Sequence, residues 1–125
     1  MKEKEKRLKQ IEIENYIWII YFFIIGLCLY GNYFEKKFFL YNDIVAKEKY
    51  RNISILIFII AVVIYFYFFL DNYNDIKDIS IYDSLKKRNL SLLNFIGSSL
   101  VLISGIIYLY IAISDTELET EIAFN

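Results

Sequence analysis

Residues 53–70 read ISILIFIIAVVIYFYFFL, eighteen consecutive side chains without a charge, a proline or a glycine. At about 1.5 Å of rise per residue, a helix over this stretch reaches roughly 27 Å, close to the ~30 Å hydrocarbon core of a bilayer. Working outward, two more such stretches appear: the nineteen residues 16–34 and the twenty-three residues 92–114. All 14 basic and all 15 acidic residues of the chain lie outside these three segments. An ionisable side chain costs on the order of 3 kcal/mol at the bilayer centre, so its exclusion is what a spanning helix requires.

A buried helix of a water-soluble protein can reach this length once. Three in a chain of 125 residues leave no polar scaffold to bury them, and a composition of 58% hydrophobic and 19% aromatic residues would leave sticky surface in water. The expected fold is therefore all-α: an integral membrane protein with three transmembrane helices in an up-down-up bundle, extended by helix beyond the bilayer. As a single membrane domain, the chain divides into an N-terminal charged extension (1–15), span 1 (16–34), loop 1 (35–52), span 2 (53–70), loop 2 (71–91), span 3 (92–114) and an acidic tail (115–125).

Aromatic placement agrees with these limits. Tyr16 and Trp18 mark the start of span 1, and Tyr30 and Tyr33 its end; Tyr50 precedes span 2, and Tyr65, Tyr67 and Tyr73 crowd its far end. Tyr and Trp favour the interface because one end of the ring is apolar and the other seeks water. In the N-terminal segment, Glu3 with Arg7 and Glu5 with Lys9 form i,i+4 pairs in the favourable order, each contributing about 0.2–0.5 kcal/mol, so the helix is expected to begin well before span 1. Span 1 is read as uncleaved, since no small-x-small site follows it. Cys28, preceded by Leu27, is read as a buried apolar residue rather than a lipidation site. Asn42 or Asp43 is placed to cap the helix of span 2, and Asp83 or Ser84 that of span 3. Ile76, Ile79, Tyr82 and Leu85 recur at helical spacing and suggest a short interfacial helix in loop 2.

With three spans, the N-terminus and loop 2 share one side and carry nine Lys and Arg, against five for loop 1 and the tail. The positive-inside rule then places the N-terminus in the cytoplasm and the acidic C-terminus outside. Eleven lysines against three arginines, with abundant Ile, Asn, Tyr and Phe, point to an AT-rich genome, and the expected location is the cell membrane of an AT-rich bacterium.

Chemistry-bearing patterns are weak. An EF-hand loop beginning at Asp71 needs glycine at its sixth position and glutamate at its twelfth, where Ile76 and Tyr82 stand. There is no histidine and one cysteine, so the residues offer no zinc site and no histidine-based acid–base scheme. No catalytic residue, metal or cofactor is assigned, no nucleic-acid or small-molecule partner is indicated, and enzymatic activity is not expected. In the tail, Asp115, Glu117, Glu119 and Glu121 alternate with Thr116, Leu118, Thr120 and Ile122, which fits either an extended strand or a charge-extended end.

Span 3 holds the most information. Asn94, Ser98, Val101, Gly105, Tyr108 and Ala112 recur at steps of 4, 3, 4, 3 and 4, and Gly97, Ser99 and Ser104 add further small residues. In lipid, close approach over small residues is a main source of helix association. The candidate packing or partner seam is thus Asn94, Gly97, Ser98, Val101, Ser104, Gly105, Tyr108 and Ala112, with Gly26 of span 1 as a counterpart, or else a homo-oligomer or membrane-protein partner as occupant. Span 2, with Ala61 as its small residue, is expected to face lipid over more of its surface.

Together these features favour a non-enzymatic accessory or assembly subunit acting through helix–helix contacts. The alternative is an oligomeric pore, a holin-like protein or a transporter component. The chain is similar to phage holins in size and span number, although many of those end in a basic tail. The topology is directly testable. In a Cys28→Ser background, Lys4→Cys should resist a membrane-impermeant maleimide applied outside intact cells, and Thr116→Cys should react; the reverse pattern inverts the orientation.

Overall fold

The computed structural model describes residues 2–118 and consists of three α-helices: α1 (Lys2–Tyr41), α2 (Ile44–Lys77) and α3 (Leu85–Ser114). Each is long and apolar enough to cross a membrane. No strand occurs among the described residues. Residues 119–125, and with them the expectation for Glu119 and Glu121, lie outside the described residues. The chain divides within α2, between Ile53 and Ser54, into two compact units.

In the first unit, α1 is one uninterrupted helix of 40 residues. Its charged beginning continues into the apolar stretch as the good helix formers of 2–15 lead one to expect, and Arg7 reaches Glu14 at 3.4 Å on the exposed surface. At its other end α1 runs seven residues past span 1, so the expected loop 1 shrinks to a two-residue link, Asn42 and Asp43. Both link residues have defined jobs. Asn42 adopts the left-handed conformation (φ 52°), and its N–H bonds back to the Phe38 carbonyl at 2.8 Å, closing the C-terminus of α1. Asparagine tolerates this conformation better than most residues. Asp43 then caps α2: one carboxylate oxygen accepts from the backbone N–H groups of Val45 (3.1 Å) and Ala46 (3.2 Å).

The two helices of this hairpin pack closely at Gly31. A Cβ built there would lie 3.3 Å from Ile53 Cγ2 and 3.6 Å from Tyr50 Cδ2, so the glycine lets the α2 side chains approach the α1 backbone. Ala46 and Tyr50, one turn apart on α2, are buried, as is Phe34 on α1. Lys47 Nζ lies over the Phe38 ring (5.6 Å) and Lys49 Nζ over that of Phe34 (5.2 Å).

The second unit pairs the rest of α2 with α3 in antiparallel fashion. As the α2 number rises through 58, 65, 69 and 73, its α3 partner falls through Tyr108, Gly105 and Phe95. Between the helices, residues 78–84 form turns and carry no helix of their own, contrary to the expected interfacial helix. Ile76 is absorbed into α2. Beyond it, side chains compete for the backbone: Asp83 accepts from the Ser80 N–H at 2.9 Å and Ser80 Oγ from the Tyr82 N–H at 3.1 Å. The Ser80 N–H, and then the Lys87 side chain at 3.2 Å, hold the Asp83 carboxyl below the usual carboxylate range. Ser84 caps α3, its hydroxyl accepting from the Lys87 N–H at 3.1 Å. At the far end, the Asp115 N–H bonds to the Ile111 carbonyl at 2.8 Å, and residues 115–118 turn rather than extend as a strand.

Burial corrects the reading of span 2. The most apolar stretch of α2 is 28% buried, against 17% for α1 and 11% for α3. Ser54, Ile57, Phe58, Ala61 and Ile64 all belong to the buried set. Large side chains interlock as effectively as small residues permit approach, so the scarcity of small residues in α2 does not leave it facing lipid. Because Asp43 both caps α2 and fixes the two-residue link, Asp43→Ala should lower stability by about 0.5–2 kcal/mol, read as a fall in the melting temperature of detergent-solubilised protein by circular dichroism.

Candidate functional site

The candidate seam lies on α3, and its members meet different fates. Gly105 is buried against α2: a Cβ there would stand 2.8 Å from Tyr65 Cδ2, 3.1 Å from Tyr65 Cε2 and 3.4 Å from Val62 Cγ2. No ordinary Cβ contact is that short, so the Tyr65 ring occupies the space that any other residue's side chain would fill. Ala112, two turns further on, is buried too. Tyr108 lies against the Phe58 ring, with centroids 5.9 Å apart. At the other end Asn94 Nδ2 donates to Asn72 Oδ1 at 3.1 Å, a polar tie between two apolar helices.

Ser98 is half-buried, but its hydroxyl donates to the Phe95 carbonyl at 3.0 Å, and the neighbouring Ser99 hydroxyl donates to the same oxygen at 2.8 Å. Both hydroxyls are thus turned onto their own helix, the ordinary way a serine is satisfied in an apolar setting. Ser104 is half-buried. Val101 and Gly97 are exposed, and a Cβ added at Gly97 would meet nothing within 4 Å. Gly26 is likewise exposed with open space around it, whereas Gly31, five residues further along α1, is buried and makes a close approach to α2.

The buried and half-buried face of α3 runs through Ser91, Phe95, Ser98, Leu102, Gly105, Leu109 and Ala112, again at steps of 4 and 3. It shares Ser98, Gly105 and Ala112 with the candidate seam, whose Ser104 and Tyr108 are half-buried beside it, while Asn94, Gly97 and Val101 are exposed. The residue that sequence reasoning missed is Phe95. Its ring sits 5.3 Å from Phe69 and 6.1 Å from Tyr73, forming an aromatic cluster near one end of the helix pair. The signal was present in its seven-residue spacing to Leu102 and Leu109, but weighting small residues over large ones hid it.

Among the described residues, no group of three or more His, Cys, Asp or Glu side chains converges as a metal site would require. A concavity of about 700 Å³ is lined by Ser84, Lys86, Lys87, Ser91 and Asn94 among others, all from one helix start, and is open rather than enclosed. Comparison with family models, curated proteins and solved structures returned no match for this chain. What the molecule itself defines is an all-α protein with three helices long and apolar enough to cross a membrane.

The two glycines of α3 separate cleanly by experiment. Gly105→Ala forces the Tyr65 ring aside and should cost about 1–3 kcal/mol. Gly97→Ala meets open space and should be neutral or stabilising by up to about 1 kcal/mol through helix propensity. Melting temperatures in one detergent, compared with the native chain, distinguish the two.

Proposed function

We propose that this chain is a small, non-enzymatic integral membrane protein that serves as an accessory or assembly subunit through helix–helix contacts. Three membrane-length helices support the location. So does the exposure of large apolar side chains such as Trp18, Phe22, Phe23, Val63, Leu100 and Ile106 along all three. In water such surfaces aggregate; in lipid they are solvated.

The observation that carries the role is the outer face of α3. Gly97 is exposed there, surrounded by the exposed Leu93, Ile96, Leu100 and Val101. A glycine flanked by large apolar residues is a notch that lets another helix approach closely, and such approach drives association in lipid. α3 is also the least buried of the three spans. The orientation of Ser98 and Ser99 favours this reading over a serine-lined pore, since their hydroxyls bond to their own backbone rather than toward a polar path. No Asp, Glu, Lys, Arg or His occurs within 53–70 or 92–114, where carriers of ions or protons usually place one.

The full chain, purified in mild detergent, should carry a partner or self-associate. Gly97→Leu with Val101→Trp should abolish that association while leaving the melting temperature within about 0.5 kcal/mol equivalent of the native chain. A strictly monomeric protein in both detergent and nanodiscs, with no partner retained, refutes the role.

A further inference from the structure

We propose that the basic collar of the α1–α2 hairpin binds the anionic headgroups of phospholipids. The inference rests on the membrane reading above and concerns a surface that reading leaves unassigned. Residues 35–52 carry five bases, Lys36, Lys37, Lys47, Lys49 and Arg51, against three acids; residues 2–15 carry five against four, and residues 71–91 four against four. The hairpin is therefore the most positive part of the chain outside the spans. One of its acids is already engaged: besides capping α2, Asp43 lies 3.7 Å from Lys37 Nζ.

Depth matches the ligand. Lys36 and Lys37 lie two and three residues past the apolar stretch ending at Phe34, and Arg51 and Lys49 two and four residues before the one beginning at Ile53. At about 1.5 Å per residue these four lie within roughly 6 Å of the end of the apolar stretches. The headgroup layer occupies about 5–7 Å on each side of the hydrocarbon core, so these four cations stand at the level of lipid phosphates, with Lys47, about 9 Å out by the same rise, at its aqueous edge.

The side chains are also arranged for it. Ala46 and Tyr50 form the buried edge of α2, and Lys47 and Lys49 fall on opposite sides of that edge at helical spacing. One ammonium lies over Phe38 and the other over Phe34, so positive charge occupies both flanks of the hairpin rather than one patch. Laying the lysine stems against aromatic surface restricts them in advance, which reduces the entropy lost when a phosphate engages the ammonium. Beyond the collar the tip is apolar, with Phe39, Leu40, Tyr41, Ile44 and Val45 all exposed. The acyl chains of such a phospholipid lie on the other side of the collar from this tip, beside the apolar stretches that end at Phe34 and begin at Ile53. A second copy meeting tip to tip would bring like charges together.

The test uses the full chain. Entry into phosphatidylcholine nanodiscs checks the membrane reading separately; failure there overturns that reading and the proposal with it. Native mass spectrometry of the detergent-solubilised protein then measures adducts with phosphatidylglycerol and with phosphatidylcholine. The expected result is a preference for phosphatidylglycerol that falls about tenfold or more in Lys47→Gln with Lys49→Gln. It should persist in the charge-conserving pair Lys47→Arg with Lys49→Arg and in Lys86→Gln with Lys87→Gln at the start of α3. Equal affinity for the two lipids overturns the proposal. So does a preference lost equally with the Lys86 and Lys87 variants, or full displacement of the lipid by millimolar inorganic phosphate, which would make the collar a free-anion site.

Discussion

The rest of this structure depends on one constraint: in an apolar medium each backbone N–H and C=O must find its partner within its own segment. Helix is the conformation that satisfies this over a long apolar run, and α2 shows the consequence. It continues through 34 residues without a break, past the apolar core at both ends, because neither glycine nor proline interrupts it. The same demand falls on the helix ends, where backbone groups lose their intrahelical partners. There the chain spends its short polar side chains: Asp43 on the start of α2 and Ser84 on the start of α3.

That economy at the ends shapes the α1–α2 hairpin. A left-handed asparagine followed by a capping aspartate turns the chain in two residues, so the helices that flank it remain paired to their last turn. The pairing brings Lys47 and Lys49 back over aromatic rings of α1 and leaves the apolar tip uncovered. A longer loop would separate these groups. Local turn chemistry thus decides where charge and apolar surface stand at this end of the hairpin.

Packing between α2 and α3 follows a different logic. Gly105 permits contact with Tyr65, while Phe95 fills space between Phe69 and Tyr73, so close approach at one level and bulk at another keep the two helices in one register. The polar residues of α3 are satisfied in passing, Asn94 across to Asn72 and the serines onto the Phe95 carbonyl. What α3 leaves uncovered, around Gly97, is then surface without a job in the monomer's own packing.

The amino-acid sequence by itself determined the number of helices, their apolar cores and the helical start of the chain, and narrowed the caps of α2 and α3 to two adjacent residues each. These follow from partition of side chains between water and hydrocarbon and from hydrogen bonds spanning a few residues, and both are properties of a short stretch of chain. The tertiary structure alone decided which glycines are contacts. Gly31 and Gly105 meet α2 side chains, while Gly26 and Gly97 meet nothing, although all four stand in apolar surroundings in the sequence. It also decided that α2, poor in small residues, is the most buried helix, and that the inward face of α3 is centred on Phe95, Leu102 and Leu109 as much as on its small residues. A glycine records that approach is possible; whether a helix arrives depends on shape fitted between residues far apart along the chain.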